Sequence, residues 1–211
     1  YGQYFDAPYE LVEKMYWAPV DGKYKQVPAP AEPKYSSAGK MLFPRMWSSD
    51  ENAIQFYESY MPGGGTPVEG AEHAKPTFGQ NLGYFFGFQL NWMYWRYFMW
   101  NFAGRQNEIA SQSPGNIIDG NWESGIKPLD NLILGDQSNA PASLINNKGK
   151  NHYFLLPLLL GILGLVFQFD KDKRGCWLTF LLFFMTGIAI VIYLNQPPYQ
   201  VRERDYAYAG S

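Results

Sequence analysis

Two long apolar segments near the end of the chain constrain its fold more than any other feature. Residues 153–169 (YFLLPLLLGILGLVFQF) and 175–194 (GCWLTFLLFFMTGIAIVIYL) contain no charged side chain. At a rise of about 1.5 Å per residue, about twenty apolar residues cross a hydrocarbon core of roughly 30 Å. Neither segment has the polar stripe of a helix on a soluble protein. Both are therefore predicted to be transmembrane helices, and a pair of helices buried in a soluble protein is the less favoured alternative.

The five residues between these segments, DKDKR at 170–174, leave room only for a hairpin tip. Three of the five are basic, which favours a cytoplasmic tip by the positive-inside rule. Residues 1–150 and 195–211 then lie outside the cytoplasm. Small residues at Gly161, Gly164, Gly187 and Ala189 are expected to let neighbouring helices approach closely, and we expect further spans elsewhere in a longer protein.

A third segment, from Phe78 to Phe102, contains no proline and is predicted to be one continuous helix. Eleven of the nineteen residues from Tyr84 to Phe102 are aromatic. At 100° per residue, Gln89 and Arg96 lie on one side, whereas Gly87, Asn91 and Asn101 lie nearly opposite, so we expect no single water-facing side. A helix contacted on several sides, at the membrane interface or against other protein, is favoured.

Arg96 is the one charged residue among these rings. Trp92 and Trp100 lie four residues before and after it, within reach of cation–π contact with its guanidinium. A third membrane span and an ordinary soluble core helix remain alternatives, although an arginine at the bilayer centre costs roughly 2.5 to 3.5 kcal/mol. Arg96 is predicted to be either a structural pin or a contact to a phosphate.

The composition excludes several kinds of site. The net charge of −2 does not favour nucleic-acid binding. A single cysteine, Cys176, allows neither an internal disulfide nor a thiolate metal cluster. The two histidines, His73 and His152, form no catalytic triad or metal-ligand spacing with their neighbours. We therefore predict no metal site and no catalytic residue in this chain, and no cofactor is evident.

The remaining segments are predicted to be loops with short ordered pieces. Asp21-Gly22 between alternating residues indicates a β-hairpin, and residues 48–61 indicate a short helix capped by Ser48 or Ser49. PGGGTP at 62–67 lacks the ending of a phosphate-binding loop. The predicted regions are an extracytoplasmic loop region (1–77), an aromatic interfacial helix (78–105), an extracytoplasmic loop (106–152), a transmembrane helix (153–169), a cytoplasmic turn (170–174), a transmembrane helix (175–194) and an extracytoplasmic tail (195–211).

The tail NQPPYQVRERDYAY, residues 195–208, is the strongest candidate for chemistry in the sequence. Arg202 and Arg204 could hold a phosphate bidentately where the membrane meets water. Asp205 or Glu203 could orient a sugar hydroxyl or a metal. The alternative is a salt-bridged turn whose arginines meet lipid headgroups or nearby carboxylates.

Several blocks occur in a recognisable order: PTFGQNLGYFFGFQLNWMYWRYFMWNFAGRQ, GNWESGI, LGDQ, the two-span hairpin and YLNQPPYQVRERDYAYAGS. Together they resemble a bacterial family of polytopic membrane proteins of the domain-of-unknown-function 2723 type, grouped with protein O-mannosyltransferases. The resemblance implies an internal fragment of an integral inner-membrane glycosyltransferase that uses a lipid-linked sugar donor at the outer face. Its partners would be membrane lipids, the lipid-linked sugar and a protein acceptor.

The same resemblance implies a catalytic acid outside this fragment and substrate-binding roles for Arg96, Arg105, Arg202, Arg204 and Asp205. The aromatic segment and the tail are expected to pack together and close one side of the donor cavity. A non-catalytic membrane-anchored scaffold or partner-binding protein is the alternative function, and a transporter ranks lower because the two spans contain no charge. The predicted fold is a mainly α-helical membrane protein fragment. Its extracytoplasmic loop region, with a long aromatic helix and a candidate small β-hairpin, is followed by a two-helix transmembrane hairpin.

Overall fold

The computed structural model describes residues 2–109, 111, 114–199 and 205–210, and the chain divides into two compact units, residues 1–84 and 85–211. Helices form the largest part of the described secondary structure, together with small two-stranded antiparallel sheets. The mainly helical class with a small sheet component is therefore confirmed.

The first unit begins with an antiparallel ribbon. β1 (Gly2–Gln3) pairs with β6 (Lys40–Met41), β2 (Tyr9–Val12) with β5 (Glu32–Tyr35), and β3 (Met15–Val20) with β4 (Lys23–Pro28). The predicted hairpin is confirmed, because Asp21 and Gly22 join β3 to β4 with φ of 52° and 74°. Positive φ at both central residues is what a two-residue type I′ turn requires.

The predicted helix after the ribbon is α1 (Glu51–Ser59), but the predicted cap is wrong. Asp50 is the N-cap, and its carboxylate accepts hydrogen bonds from the backbone N–H groups of Asn52 and Ala53. Ser48 lies two residues before the cap, where its hydroxyl accepts from the N–H of Asp50 at 3.4 Å. Asp50 caps because its side chain immediately precedes the first helical residue and can reach the free N–H groups of the first turn.

Aromatic rings form the core of the first unit around α2 (Phe78–Tyr84). Tyr84 is fully buried and meets Tyr57 and Tyr60 edge-on, with ring centroids 5.3 and 5.4 Å apart. Asn81, also fully buried, accepts a hydrogen bond of 2.7 Å from the backbone N–H of Arg45. Rings and an internally bonded amide thus replace the aliphatic core of a typical small domain.

The segment from Phe78 to Phe102 is helical throughout, as predicted, but its middle is not a regular α-helix. A π-helix (Phe85–Trp95) follows α2 and leads into α3 (Arg96–Phe102). A π-helix bonds i to i+5, and Gln89 and Tyr94, five residues apart, are both buried. Because each turn is wider than in an α-helix, side chains five residues apart lie on the same buried side of the helix.

The polar side chains of this helix divide as predicted, and its exposed positions carry aromatic rings as well as amides, in agreement with the expectation of no single water-facing side. Gln89 and Arg96 are buried, whereas Asn91 and Asn101 on the opposite side are exposed. The helix therefore packs with one side inward and keeps the other open.

The predicted loop between residues 106 and 152 contains more structure than expected. β7 (Gly104–Arg105) pairs with β8 (Asn151–His152), and the loop also carries α4 (Lys127–Leu134) and α5 (Ala142–Ile145). Trp122 forms an isolated bridge with Arg105. These pairings draw the two ends of the loop together beside the aromatic helix.

The apolar segments form α6 (Leu156–Lys171), α7 (Lys173–Thr186) and α8 (Ile188–Leu194). Among the described residues, one helix is long and apolar enough to cross a membrane by length and composition, the run Lys173–Leu194 with a mean hydropathy of 2.3. The 16 residues of α6 fall short of that length. The helix is short because it begins at Leu156, three residues after the predicted start, and ends at Lys171, where Asp172 caps α7. Two membrane spans are therefore not established.

The small residues of these helices differ in their surroundings. A methyl group at Gly187 would lie 2.5 Å from the hydroxyl oxygen of Tyr94, so α8 approaches the aromatic helix closely there, as expected. Methyl groups at Gly161 and Gly164 would meet nothing within 4 Å. The expected close helix contact at those two positions is not present in the described part of the chain.

Candidate functional site

The most unusual group of side chains is an alternating stack of two tryptophans and two arginines, which we call the arginine–tryptophan stack (Trp92, Arg96, Trp100 and Arg105). The guanidinium carbon of Arg96 lies 4.7 Å from the ring centroid of Trp92 and 4.7 Å from that of Trp100. The predicted sandwich is therefore confirmed. The guanidinium of Arg105 lies over Trp100 at 4.3 Å, so Trp100 is shared by two cations.

Arg96 is buried within this stack, with 4% of its surface exposed. Its Nε donates to the carbonyl of Trp92 at 3.2 Å, and its Nη1 donates to the carbonyl of Gly120 at 3.1 Å. Gly120 has φ of +60°, and a Cβ there would collide with the carbonyl of Ile109. Arg96 thus fastens the loop after β7 to the aromatic helix, which supports the interpretation as a structural pin.

Arg105 has a different environment. Its backbone N–H donates to Oδ1 of Asn151 at 2.9 Å, which fixes it on β7. Its Nε is buried, and within the described part of the chain the guanidinium has no hydrogen-bond or ion-pair partner. The indole Nε1 of Trp100 beneath it is likewise buried without an acceptor there. A half-buried cation with spare donors therefore lies on a buried ring.

The opposite face of the same small sheet carries a carboxylate cluster, the Glu123 cluster (Glu123, Lys150 and His152). Oε1 of Glu123 lies 2.9 Å from Nζ of Lys150 and 3.0 Å from Nε2 of His152. Strand pairing explains this meeting, because Gly104 faces His152 in the register and accepts a hydrogen bond from the N–H of Glu123. The carboxylate thus pairs with the ammonium of Lys150 and lies close to the imidazole of His152, whose Nε2 is buried without a hydrogen-bond partner among the described residues.

Asp130 is a buried carboxylate in the first turn of α4. It accepts hydrogen bonds of 2.8 Å from the backbone N–H of Ser124, the hydroxyl of Ser124 and the backbone N–H of Gly125. The GNWESGI block therefore folds as a turn tied to α4. Within the described residues, both carboxylate oxygens of Asp130 are therefore used to hold this turn.

The tail packs against the aromatic helix, as the sequence suggested. Nε2 of Gln89 donates to Oδ1 of Asn195 at 3.0 Å and to the carbonyl of Gln196 at 2.9 Å. Tyr208 meets the ring of Tyr94 edge-on at 5.5 Å. This contact closes the end of α8 onto the π-helix.

The structure reaches only part of the predicted substrate site. Arg202 and Arg204 lie outside the described residues, and Asp205 begins a 3₁₀ turn (Asp205–Tyr208). Arg96 and Arg105 share Trp100. No group of three or more histidine, cysteine, aspartate or glutamate side chains within the described ranges is arranged to hold a metal ion.

Comparison with known proteins gives one family. Residues 1–86 match the model of a family of unknown function, DUF8416. This match ends two residues past the first compact unit and leaves the stack and the apolar helices uncovered. No curated protein and no solved structure matches the chain.

This match corrects the resemblance drawn from the sequence blocks. The chain does not match the domain-of-unknown-function 2723 type, and no glycosyltransferase family matches it. The tryptophan- and arginine-rich blocks were therefore misleading as family markers. Much of the aromatic and arginine content of these blocks is explained by the arginine–tryptophan stack and by the packing of the tail.

Sequence reasoning missed the Glu123 cluster and the pairing of Arg105 with Trp100. GNWESGI and His152 lie about thirty residues apart, and no sequence pattern connects them. The two strands that bring them together are two residues long, so they carry no alternating pattern. A signal was present only in Gly104, whose φ of +135° would be strained for any other residue.

Proposed function

We propose that this chain is the membrane-anchored part of a non-catalytic scaffold or partner-binding protein, held in the bilayer by α6 and α7. The observation that carries the proposal is the exposed apolar surface of these helices. None of the 16 residues of α6 is buried, and α7 buries only Cys176. Leu160, Phe167 and Leu178 are 68%, 64% and 70% exposed.

Exposure of such an apolar surface to water would be unfavourable. Soluble monomers rarely expose contiguous apolar patches beyond a few hundred Å², whereas the side chains here project from two adjacent helices around most of their circumference. In hydrocarbon the same side chains are at no cost, and the helical backbone is internally bonded. The exposure therefore supports a lipid environment.

The lengths support a short hairpin through a thin or locally thinned bilayer. The 16 residues of α6 extend about 24 Å and the 22 residues from Lys173 to Leu194 about 33 Å, against a core of roughly 30 Å. A mismatch of a few Å costs fractions of a kcal/mol per Å. The charged tip at residues 170–174 supports full crossing, because a re-entrant hairpin would bury these charges.

A scaffold role is favoured over catalysis by the use of the polar groups. Asp130 is occupied by three internal donors, Glu123 by two basic groups, and Arg96 by two carbonyls and two rings. Sugar transfer from a lipid-linked donor stays an untested prediction. It was implied by the resemblance that the family match corrects.

The test uses the single cysteine of the chain. In a Cys176→Ser background, one cysteine is placed at Ser143 in the loop, at Asp170 in the tip or at Leu163 in α6. We expect a membrane-impermeant maleimide to label the Ser143 site in intact cells, the Asp170 site only after lysis, and the Leu163 site only in denaturant.

Carbonate extraction of the same membranes provides the control. The chain should stay in the pellet, whereas a hairpin that is only adsorbed would be released. Labelling of the Leu163 site in native membranes, or release by carbonate, would show that α6 does not lie in lipid. Labelling of the Asp170 site in intact cells would reverse the orientation.

A further inference from the structure

The surroundings of the Arg105 guanidinium indicate a separate binding site. We propose that Arg105, lying on Trp100, binds the phosphate group of an anionic lipid headgroup at the outer surface of the membrane. The lipid source rests on the proposed membrane anchorage. The phosphate chemistry itself does not, and the two are tested separately below.

Among the residues that the structure describes, other charges of the second unit near Arg105 are already paired or bonded elsewhere. Lys150 and His152 share the carboxylate of Glu123, and Arg96 is bonded to two carbonyls between two rings. Arg105 has no carboxylate partner within the described ranges. A cation in a partly buried position gains from an anion more than an exposed one does, because the local dielectric is lower.

The donors of the site are held in place before any ligand binds. Trp100 is 9% exposed, and its ring supports the guanidinium of Arg105 from one side. The backbone of Arg105 is fixed by Asn151 and by the bridge to Trp122. Because little side-chain freedom remains to be lost, a planar guanidinium here can bind two phosphate oxygens at a low entropic cost.

The position of the site matches the height of lipid phosphates. Arg105 pairs with Asn151, five residues before α6 begins at Leu156. The N–H of Tyr153 bonds the carbonyl of Ala103 at 2.8 Å, so α6 starts directly beside β7. Tyr153 and Phe154 are 41% and 51% exposed, as suits aromatic side chains at a membrane surface.

The experiment compares Arg105→Ala with Lys148→Ala in the full chain. Lys148 is exposed near the same end of α6, so its substitution by alanine removes the same charge from a nearby surface position. Inorganic phosphate is titrated into detergent-solubilised protein, and its binding is measured from the ³¹P line width. In parallel, retention of phosphatidylglycerol relative to phosphatidylcholine is measured by native mass spectrometry from nanodiscs. Near-ultraviolet circular dichroism verifies the fold of each variant.

We expect Arg105→Ala to weaken phosphate binding and phosphatidylglycerol retention by about tenfold or more, as loss of a charge-assisted contact does. Lys148→Ala should change both by less than about twofold. Arg105→Lys keeps the charge but loses the fork and the stacking, so it should fall between. It also provides the comparison if the alanine variant does not fold.

The outcomes are distinct. Loss of phosphate binding with unchanged lipid retention would support the phosphate site and assign it to a soluble phosphate compound. Equal effects of Arg105→Ala and Lys148→Ala, or no effect of either, would overturn the proposal. Failure of the membrane anchorage would appear in the carbonate extraction and would leave the phosphate titration unaffected.

Discussion

The contact between Gly187 and Tyr94 gives a sharp test of how the apolar helices meet the aromatic helix. In Gly187→Ala the new methyl carbon would lie 2.5 Å from Oη of Tyr94 and 2.9 Å from two of its ring carbons. Tyr94 is 2% exposed, and the ring of Tyr208 lies edge-on against it at 5.5 Å. The ring therefore has little room to withdraw.

Overpacking of this kind costs typically about 1–3 kcal/mol. For a chain of this size each kcal/mol lowers the unfolding midpoint by roughly 2–4 °C. We expect Gly187→Ala to lower the midpoint by several degrees. Gly164→Ala is the matched control, because its methyl meets nothing within 4 Å and alanine is favoured in a helix interior by about 0.5–1 kcal/mol.

The assay is thermal unfolding in one detergent, followed by tryptophan fluorescence. The two substitutions add the same atoms and should shift the midpoint in opposite directions. Tyr94→Phe removes the closest oxygen, so the double variant Gly187→Ala/Tyr94→Phe should recover part of the loss beyond additivity. A Gly187→Ala midpoint at or above that of the unmodified chain would refute the packing argument.

Three further predictions concern the buried polar groups. Arg96→Lys should lower the free energy of unfolding by about 1–3 kcal/mol, because an ammonium cannot keep both the ring contacts and the bond to Gly120. Denaturant titration would measure this loss of stability. An unchanged free energy of unfolding would argue against Arg96 as a structural pin. Asp130→Asn should cost a similar amount, since an amide –NH₂ would face an N–H donor; an unchanged midpoint in the same titration would contradict this. Burial, with a smaller contribution from the nearby carboxylate of Asp6, raises the pKa of Tyr4 to about 12, and burial raises the pKa of Tyr84 well above its ordinary value. The contribution of these two tyrosines to stability is complete below about pH 10 and is lost as the pH rises toward 12. The near-ultraviolet circular dichroism signal of the chain should therefore fall over that range. A signal that does not change with pH would contradict the burial of these side chains.

Local features of the chain could be predicted where the signal lay within a few residues. The Asp21-Gly22 turn, the helical character of residues 78–102 and the sandwich of Arg96 between Trp92 and Trp100 depend on backbone preference and on i, i+4 spacing. The error at Asp50 is instructive, because three adjacent residues can all act as caps. Sequence alone did not choose among them.

The family assignment from sequence blocks failed for a related reason. Rows of tryptophan, tyrosine and arginine resemble the blocks of a sugar-transfer family, but the described residues use Arg96 and Trp100 for packing. Composition of this kind reports an interfacial or stacked environment. It does not report an activity.

The sequence by itself determined that the chain has strongly apolar helices near its end, a β-hairpin near its start and a cation among aromatic rings, because apolar content, turn chemistry and helical spacing are local properties. Tertiary structure alone decided that Arg105 shares Trp100 with Arg96, that Glu123 meets Lys150 and His152, and that Gln89 bonds the end of α8. These contacts join residues far apart in sequence through two-residue strands and a π-helical turn. Such elements have no periodic pattern, and their geometry exists only once the surrounding segments have packed.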